Sequence, residues 1–220
     1  MNYVFCAHRK WALELFEQIR RKHKNFYLIK EPKQLTYKKI KKINPKFIFF
    51  PDWSWKVPDV VFQNYDCICF HEADLPKFRG GSPIQNQIIR GIEKTKTTAF
   101  IMNEKIDAGP IIMKKELSLK GNLADIFQRM KKNDMYMINK ILLGKFKIYS
   151  QKGKSTTYKR RKPIESKLDS LNYSKKYLYN FIRMLEDPYP NAFLSVGKHK
   201  IIFKKAKLDK NKLSVEVEIE

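Results

Sequence analysis

The residues placed to do chemistry gather in two short stretches. The first, CICFHEADLPKFRGGSPIQNQIIRG, runs from Cys67 to Gly91. It starts as an apolar strand, delivers a lone histidine, His71, and continues through a loop rich in Pro, Gly and charge. The second is EKIDAGP, which sets Asp107 in a turn between two apolar segments. An imidazole titrates near working pH and serves as a general acid or base. A carboxylate can orient such a ring and stabilise its protonated form. Each residue also has a plainer use. A strand-end histidine is often partly buried and hydrogen-bonded, and Asp and Gly make turns. Residue type alone leaves both readings open.

Cys67, Cys69 and His71 alternate onto one strand face. Same-face neighbours lie roughly 6.6 Å apart along a strand, awkward spacing for one metal ion. A fourth ligand at suitable spacing is missing, so buried structural cysteines and no metal are expected. Arg79-Gly80-Gly81-Ser82-Pro83 suits a turn into a helix, with Ser82 at the N-cap and Pro83 at N1. It equally suits an anion site at a helix start. Neither Walker nor GxGxxG order is present. Trp53 and Trp55, flanking Ser54, either join the core or wall a pocket for a flat ring.

Positioning these groups requires a scaffold, and the apolar pattern supplies one. Strands are expected over Asn2–Cys6, Phe26–Ile29, Lys46–Phe50, Cys67–Phe70, Thr97–Met102 and Ile111–Lys115. Between them, helical spacing marks Arg9–Lys22, Leu35–Ile43, Ser82–Arg90 and a long helix from the Asn122 cap to about Leu142. Such alternation predicts an α/β fold with a mostly parallel sheet, where ligands sit beyond the carboxyl ends of strands. His71 and the Pro51–Trp55 loop fall at such ends. After Leu143 the texture changes: 150–170 reads as a polar linker with room for one strand, followed by a helix at Tyr173–Leu185 and strands at Ala192–Val196, Ile201–Lys205 and Leu213–Ile219. The expected division is therefore 1–148 as the main domain and 149–220 as linker, helix and small β-rich appendage.

Composition narrows the class. Hydrophobic residues make up 43 % of the 220, enough for a sizeable core. Three cysteines in apolar strands suit a reducing cytoplasm rather than a disulfide framework. No run of eighteen apolar residues occurs, so a soluble cytoplasmic protein without membrane association is expected. The net charge of +24 is spread over many lysines and carries no zinc-finger or RNP motif. A lysine-rich surface is the favoured reading over a dedicated nucleic-acid patch.

HEADLPKFRGGSPIQNQIIRG followed by TAFIMNEKIDAGPII resembles the signature region of folate-dependent formyltransferases. His71, Leu75-Pro76, Arg79-Gly80, Pro83-Ile84-Gln85 and Asp107-Ala108-Gly109 match that family's pattern in order. FIFFPDWSWKVP is similar to its folate-contacting strand and loop, and FIRMLEDPYPNAF to a segment that follows its catalytic domain. The resemblance implies a Rossmann-like formyltransferase fold with 10-formyltetrahydrofolate as co-substrate. The formyl group then passes to a neutral amine through a tetrahedral intermediate, with His71 as general acid/base and Asp107 orienting it. Pro51, Asp52, Trp53, Ser54, Trp55 and Val57 would hold the pterin. One departure stands out: the family's oxyanion-binding asparagine is replaced by Cys69, whose thiol is a weak donor. Another donor, with Gln85, Asn86 or a backbone N–H as candidates, must then serve, or the enzyme is slow or inactive.

The loop wording is similar to short formyltransferases acting on nucleotide-linked 4-amino-deoxy sugars. Lys77, Arg79, Gly80, Gly81, Ser82, Gln85, Asn86 and Arg183 are the expected acceptor contacts. A methionyl-tRNA formyltransferase-like enzyme is the alternative. So is a noncatalytic folate, nucleotide-sugar or RNA binder. The appendage is expected either to close the acceptor pocket or to form a homodimer face.

Overall fold

Apolar runs too short for helices become strands here, and the amphipathic stretches between them become helices. The computed structural model describes residues 1–210 and 212–220. In chain order, its first elements are β1 (Asn2–Ala7), α1 (Lys10–Lys22), β2 (Phe26–Ile29), α2 (Tyr37–Ile43), β3 (Pro45–Asp52) and α3 (Asp59–Phe62). Next come β4 (Cys67–His71), β5 (Arg79–Gly80), α4 (Pro83–Ile88), β6 (Lys94–Ile101), β7 (Ile111–Ser118) and α5 (Leu123–Leu142). The chain closes with β8 (Thr157–Tyr158), α6 (Lys175–Arg183), β9 (Ala192–Val196), β10 (His199–Asp209) and β11 (Lys212–Ile219). Two compact units interleave along the sequence. One comprises 1–79, 95–117 and 127–157, the other 80–94, 118–126 and 158–220.

The first unit holds a six-stranded sheet in the order β2-β1-β3-β4-β6-β7. Strands β1 to β4 pair in parallel, whereas β6 runs antiparallel to β4, setting Thr98 opposite His71 and Phe100 opposite Cys69. Alternation along each strand sends successive side chains to opposite faces. Val4, Cys6, Ile48, Phe50 and Cys67 join one core with Ile40 of α2 and Val61 of α3. Phe5 instead packs on Phe16 of α1, ring centroids 5.5 Å apart. Beside α1, α5 stacks Phe127 on Trp11 at 6.0 Å and ties Lys131 to Glu14 at 2.8 Å. Burying one such large apolar side chain contributes about 1.5–3 kcal/mol. The core thus anchors the strand ends that carry the polar groups.

The second unit contains an antiparallel sheet ordered β11-β10-β9. Helix α6, capped by the Ser174 hydroxyl accepting from Tyr177 N–H at 3.2 Å, buries Leu178, Phe181 and Ile182. Helix α4 is shorter than its periodicity suggests; Ser82 holds the N-cap position ahead of Pro83 as expected, but its side chain makes no capping hydrogen bond. Ser82 sits in a left-handed conformation, φ 52°, and its hydroxyl accepts from Arg161 N–H at 3.1 Å. Among the described residues no helix is long and apolar enough to cross a membrane.

Candidate active site

His71 ends β4 and is 6 % exposed. Its Nε2 lies 2.7 Å from the Phe78 carbonyl oxygen, and its Nδ1 lies 3.6 Å from Oδ2 of Asp107. A carbonyl only accepts, so Nε2 carries the hydrogen and Nδ1 is the basic atom of a neutral ring. Once that ring takes a second proton, the new charge lies beside the Asp107 carboxylate. This proton inventory is what acid/base work requires. The structure brings Asp107 to His71, although 36 residues separate them. Phe78 is the partner that the sequence did not announce.

Both groups facing the imidazole sit on strained backbone. Asp107 has φ 50° and Phe78 has φ 57°. Asp tolerates the left-handed region, but a bulky Phe there is an outlier that the surroundings must hold. Phe78 N–H donates to the Thr156 hydroxyl at 2.9 Å. The turn carrying Asp107 closes through Gly109, where an added Cβ would fall 1.7 Å from the Ile101 carbonyl oxygen. Only glycine fits at that position.

Cys69 packs against the cluster of Leu75, Phe100 and Ile111. Burial pushes its thiol well above the ordinary range, and Asp107, Glu72 and Asp134 add like-charge repulsion. A thiol kept protonated is not a nucleophilic thiolate. Glu72, immediately after His71, is likewise pushed up to about 8. Burial is the main cause, with Asp52 and Asp107 opposing ionisation and Arg9 favouring it. Asp134 on α5 is fully buried and neither of its carboxyl oxygens has a hydrogen-bond partner. Burial, then Glu72 and Asp52, raises its carboxyl well above the usual range. Burial thus disfavours the charged form of both acids. Nothing in the local sequence pattern singles either out.

Of the residues expected to hold a pterin, Pro51 and Asp52 belong to the end of β3 rather than to a loop. The Asp52 carboxylate accepts from Arg9 N–H at 2.8 Å, pairs with the Arg9 guanidinium and lies 3.3 Å from His8 Nδ1. Ser54 lies 3.5 Å from the same guanidinium, and Val57 packs in the core. Trp53 and Trp55 meet edge to face at 5.0 Å, and His8 lies 4.6 Å from Trp55. The Trp53 indole N–H is buried without a hydrogen-bond partner. Flat rings with a spare donor fit a bound heteroaromatic ring.

The expected acceptor contacts divide. Lys77 is exposed. Arg79 gives Nη2 to Gln151 Oε1 at 2.6 Å. In the second unit, Gly81 lies so close to Arg160 that an added Cβ would fall 2.3 Å from its Cα, and Gly80 and Ser82 are half-buried. Asn86 Nδ2 donates to the Gly81 carbonyl at 3.0 Å, while Gln85 Nε2 is buried without a partner. Arg183 is a correction. It is 3 % exposed, and its guanidinium donates to the carbonyls of Leu119 and Gly121 at 2.6 and 2.9 Å and to Asn180 at 3.0 Å. Its charge serves the fold, not a diphosphate.

Comparison with known proteins places these features in context. The formyl transferase profile matches residues 14–140, and the C-terminal domain profile of methionyl-tRNA formyltransferase matches 163–220. A solved methionyl-tRNA formyltransferase from Clostridium thermocellum is 37 % identical with a TM-score of 0.95, covering 100 % of this chain and 99 % of that one. A methionyl-tRNA formyltransferase from Bacillus cytotoxicus is 28 % identical over 77 % of this chain and 56 % of its own length. The chain thus spans little more than half of that relative. A sugar N-formyltransferase from Shewanella shares the fold, with a TM-score of 0.73 and 17 % identity over 96 % of this chain and 99 % of that one.

Proposed function

Because the chain belongs to the formyl transferase family, we propose that it transfers a formyl group from 10-formyltetrahydrofolate to a primary amine. The observation that carries this reading is His71, held between the Phe78 carbonyl and the Asp107 carboxylate at a strand end. When bound, the folate supplies an activated formyl group. Trp53, Ser54 and Trp55 hold its ring system, with the Trp53 indole N–H as a donor. Nδ1 of His71 takes the proton that the attacking amine loses, and Asp107 stabilises the resulting cation. Burial disfavours the charged forms of the Glu72 and Asp134 carboxyls, which limits negative charge near the developing oxyanion.

The first acceptor is methionyl-tRNA. The full-length similarity to the Clostridium protein of that name supports it, as does the match of the C-terminal segment. A net charge of +24 suits a polyanionic substrate. A nucleotide-linked amino sugar is the second reading, supported by the fold shared with the Shewanella sugar N-formyltransferase. Release of tetrahydrofolate with methionyl-tRNA, and with UDP- and dTDP-linked 4-amino-4,6-dideoxy sugars, separates the two. Turnover with the tRNA alone is expected, lowered roughly 10²–10⁴-fold by His71→Ala. Turnover with a sugar alone reverses the choice of acceptor, and none with either rejects formyl transfer.

A further inference from the structure

We propose that Gln151 and Thr156 are positioning residues that fasten, from one short strap, the two groups facing the His71 imidazole. The inference rests on the acid/base role given to His71 and Asp107 above. Gln151 lies past residue 148, in a stretch whose composition reads as linker. Its Nε2 donates to the carbonyl oxygens of Asp107 at 2.9 Å and Gly109 at 2.8 Å. Its Oε1 accepts from Arg79 Nη2 at 2.6 Å and Nε at 3.3 Å. The orientation of the amide is therefore forced: one side meets only donors, the other only acceptors. Five residues on, the Thr156 hydroxyl accepts from Phe78 N–H, and the Thr156 carbonyl accepts from Arg79 N–H at 2.8 Å.

The strap thus grips two residues in left-handed conformations, one of them a Phe that would not adopt it freely. Asp107 is gripped at its own carbonyl and Phe78 at its own amide. Turning either peptide moves the carboxylate or the carbonyl away from the ring, and an error near 1 Å costs as much as about 10²-fold in rate. Gln151 also commits Arg79, so that side chain supports the site rather than binding an acceptor phosphate.

Four variants in the full chain test this: Gln151→Glu, Gln151→Leu, Thr156→Val and Thr156→Ser. Gln151→Glu keeps an acceptor for Arg79 but removes both donors to the turn. It and Gln151→Leu are expected to lower kcat about tenfold or more with KM little changed. Thr156→Val behaves likewise, whereas Thr156→Ser, which keeps the hydroxyl, stays within about twofold. Combining Gln151→Glu with Asp107→Asn is expected to add no further loss, because one acts through the other. Independent losses that multiply would overturn the proposal. Ring ¹⁵N resonances of His71 supply a readout that needs no acceptor. Gln151→Glu should move them as Asp107→Asn does, at an unchanged thermal midpoint. If they stay in place, the strap has no positioning role, whatever the reaction. If they move while no acceptor turns over, the strap stands and formyl transfer falls.

Discussion

Nε2 of His71 is 2.7 Å from the carbonyl oxygen of Phe78, so the ring's permanent hydrogen is committed to the backbone. Proton exchange is left to Nδ1, the nitrogen beside Asp107. The catalytic consequences turn on that second nitrogen and on what surrounds it.

Asp107→Asn separates charge from backbone geometry. Asn tolerates the left-handed φ of 50°, so thermal stability should hold while kcat drops by roughly 10²-fold. Asp107→Ala should lose a similar amount of activity and in addition about 1–2 kcal/mol of stability, because a Cβ without a polar side chain is strained there. Parallel kinetics and urea unfolding of both variants check this.

Cys69→Asn is expected to raise kcat, since an amide N–H replaces a weak thiol donor beside the reacting centre. The gain for one oxyanion donor is about 10²–10³-fold. Single-turnover formyl transfer measures it, and an unchanged rate would assign the oxyanion to a different donor.

Glu72 sets a pH dependence of stability. Its carboxyl is pushed from 4.5 up to about 8 in the folded chain. The folded state therefore binds the proton that the unfolded state has released, and the stability this contributes is complete below pH 4.5. It is lost as pH rises through about 8. Asp134 acts in the same direction. Thermal midpoints should fall between pH 5 and 9, and Glu72→Gln should flatten that fall. An equally steep fall in the variant would assign the dependence elsewhere.

Arg183→Met leaves the Leu119 and Gly121 carbonyls and the Asn180 side chain without this donor. Leaving buried acceptors unsatisfied costs roughly 1–3 kcal/mol. Urea unfolding should show that loss, and a variant as stable as the parent would contradict the structural role.

The sheet was legible because its apolar runs are short, β-rich and bounded by turn residues, as FIFF and CICF illustrate. His71 and Asp107 stood out through the motif order they share with the formyltransferase pattern, because residue type alone left each a structural use. Arg183 was misread for a definite reason: a lone Arg before an acidic loop looks solvent-facing until the carbonyls it donates to are seen. Gln151 and Thr156 were invisible, since a polar stretch without periodicity carries no signal for long-range contact. Phe78 could not be found from its side chain because it acts through its backbone oxygen. Glu72 and Asp134 gain their properties from burial by residues distant in sequence.

The two fasteners of the site lie at 151 and 156, after every strand of the six-stranded sheet has been laid down. During synthesis the sheet and its histidine therefore emerge before the residues that aim its partners. A nascent chain reaching only residue 148 carries His71 and Asp107 but neither fastener. Full catalytic competence therefore arrives late on the ribosome, once the residues that aim the partners of His71 have been made.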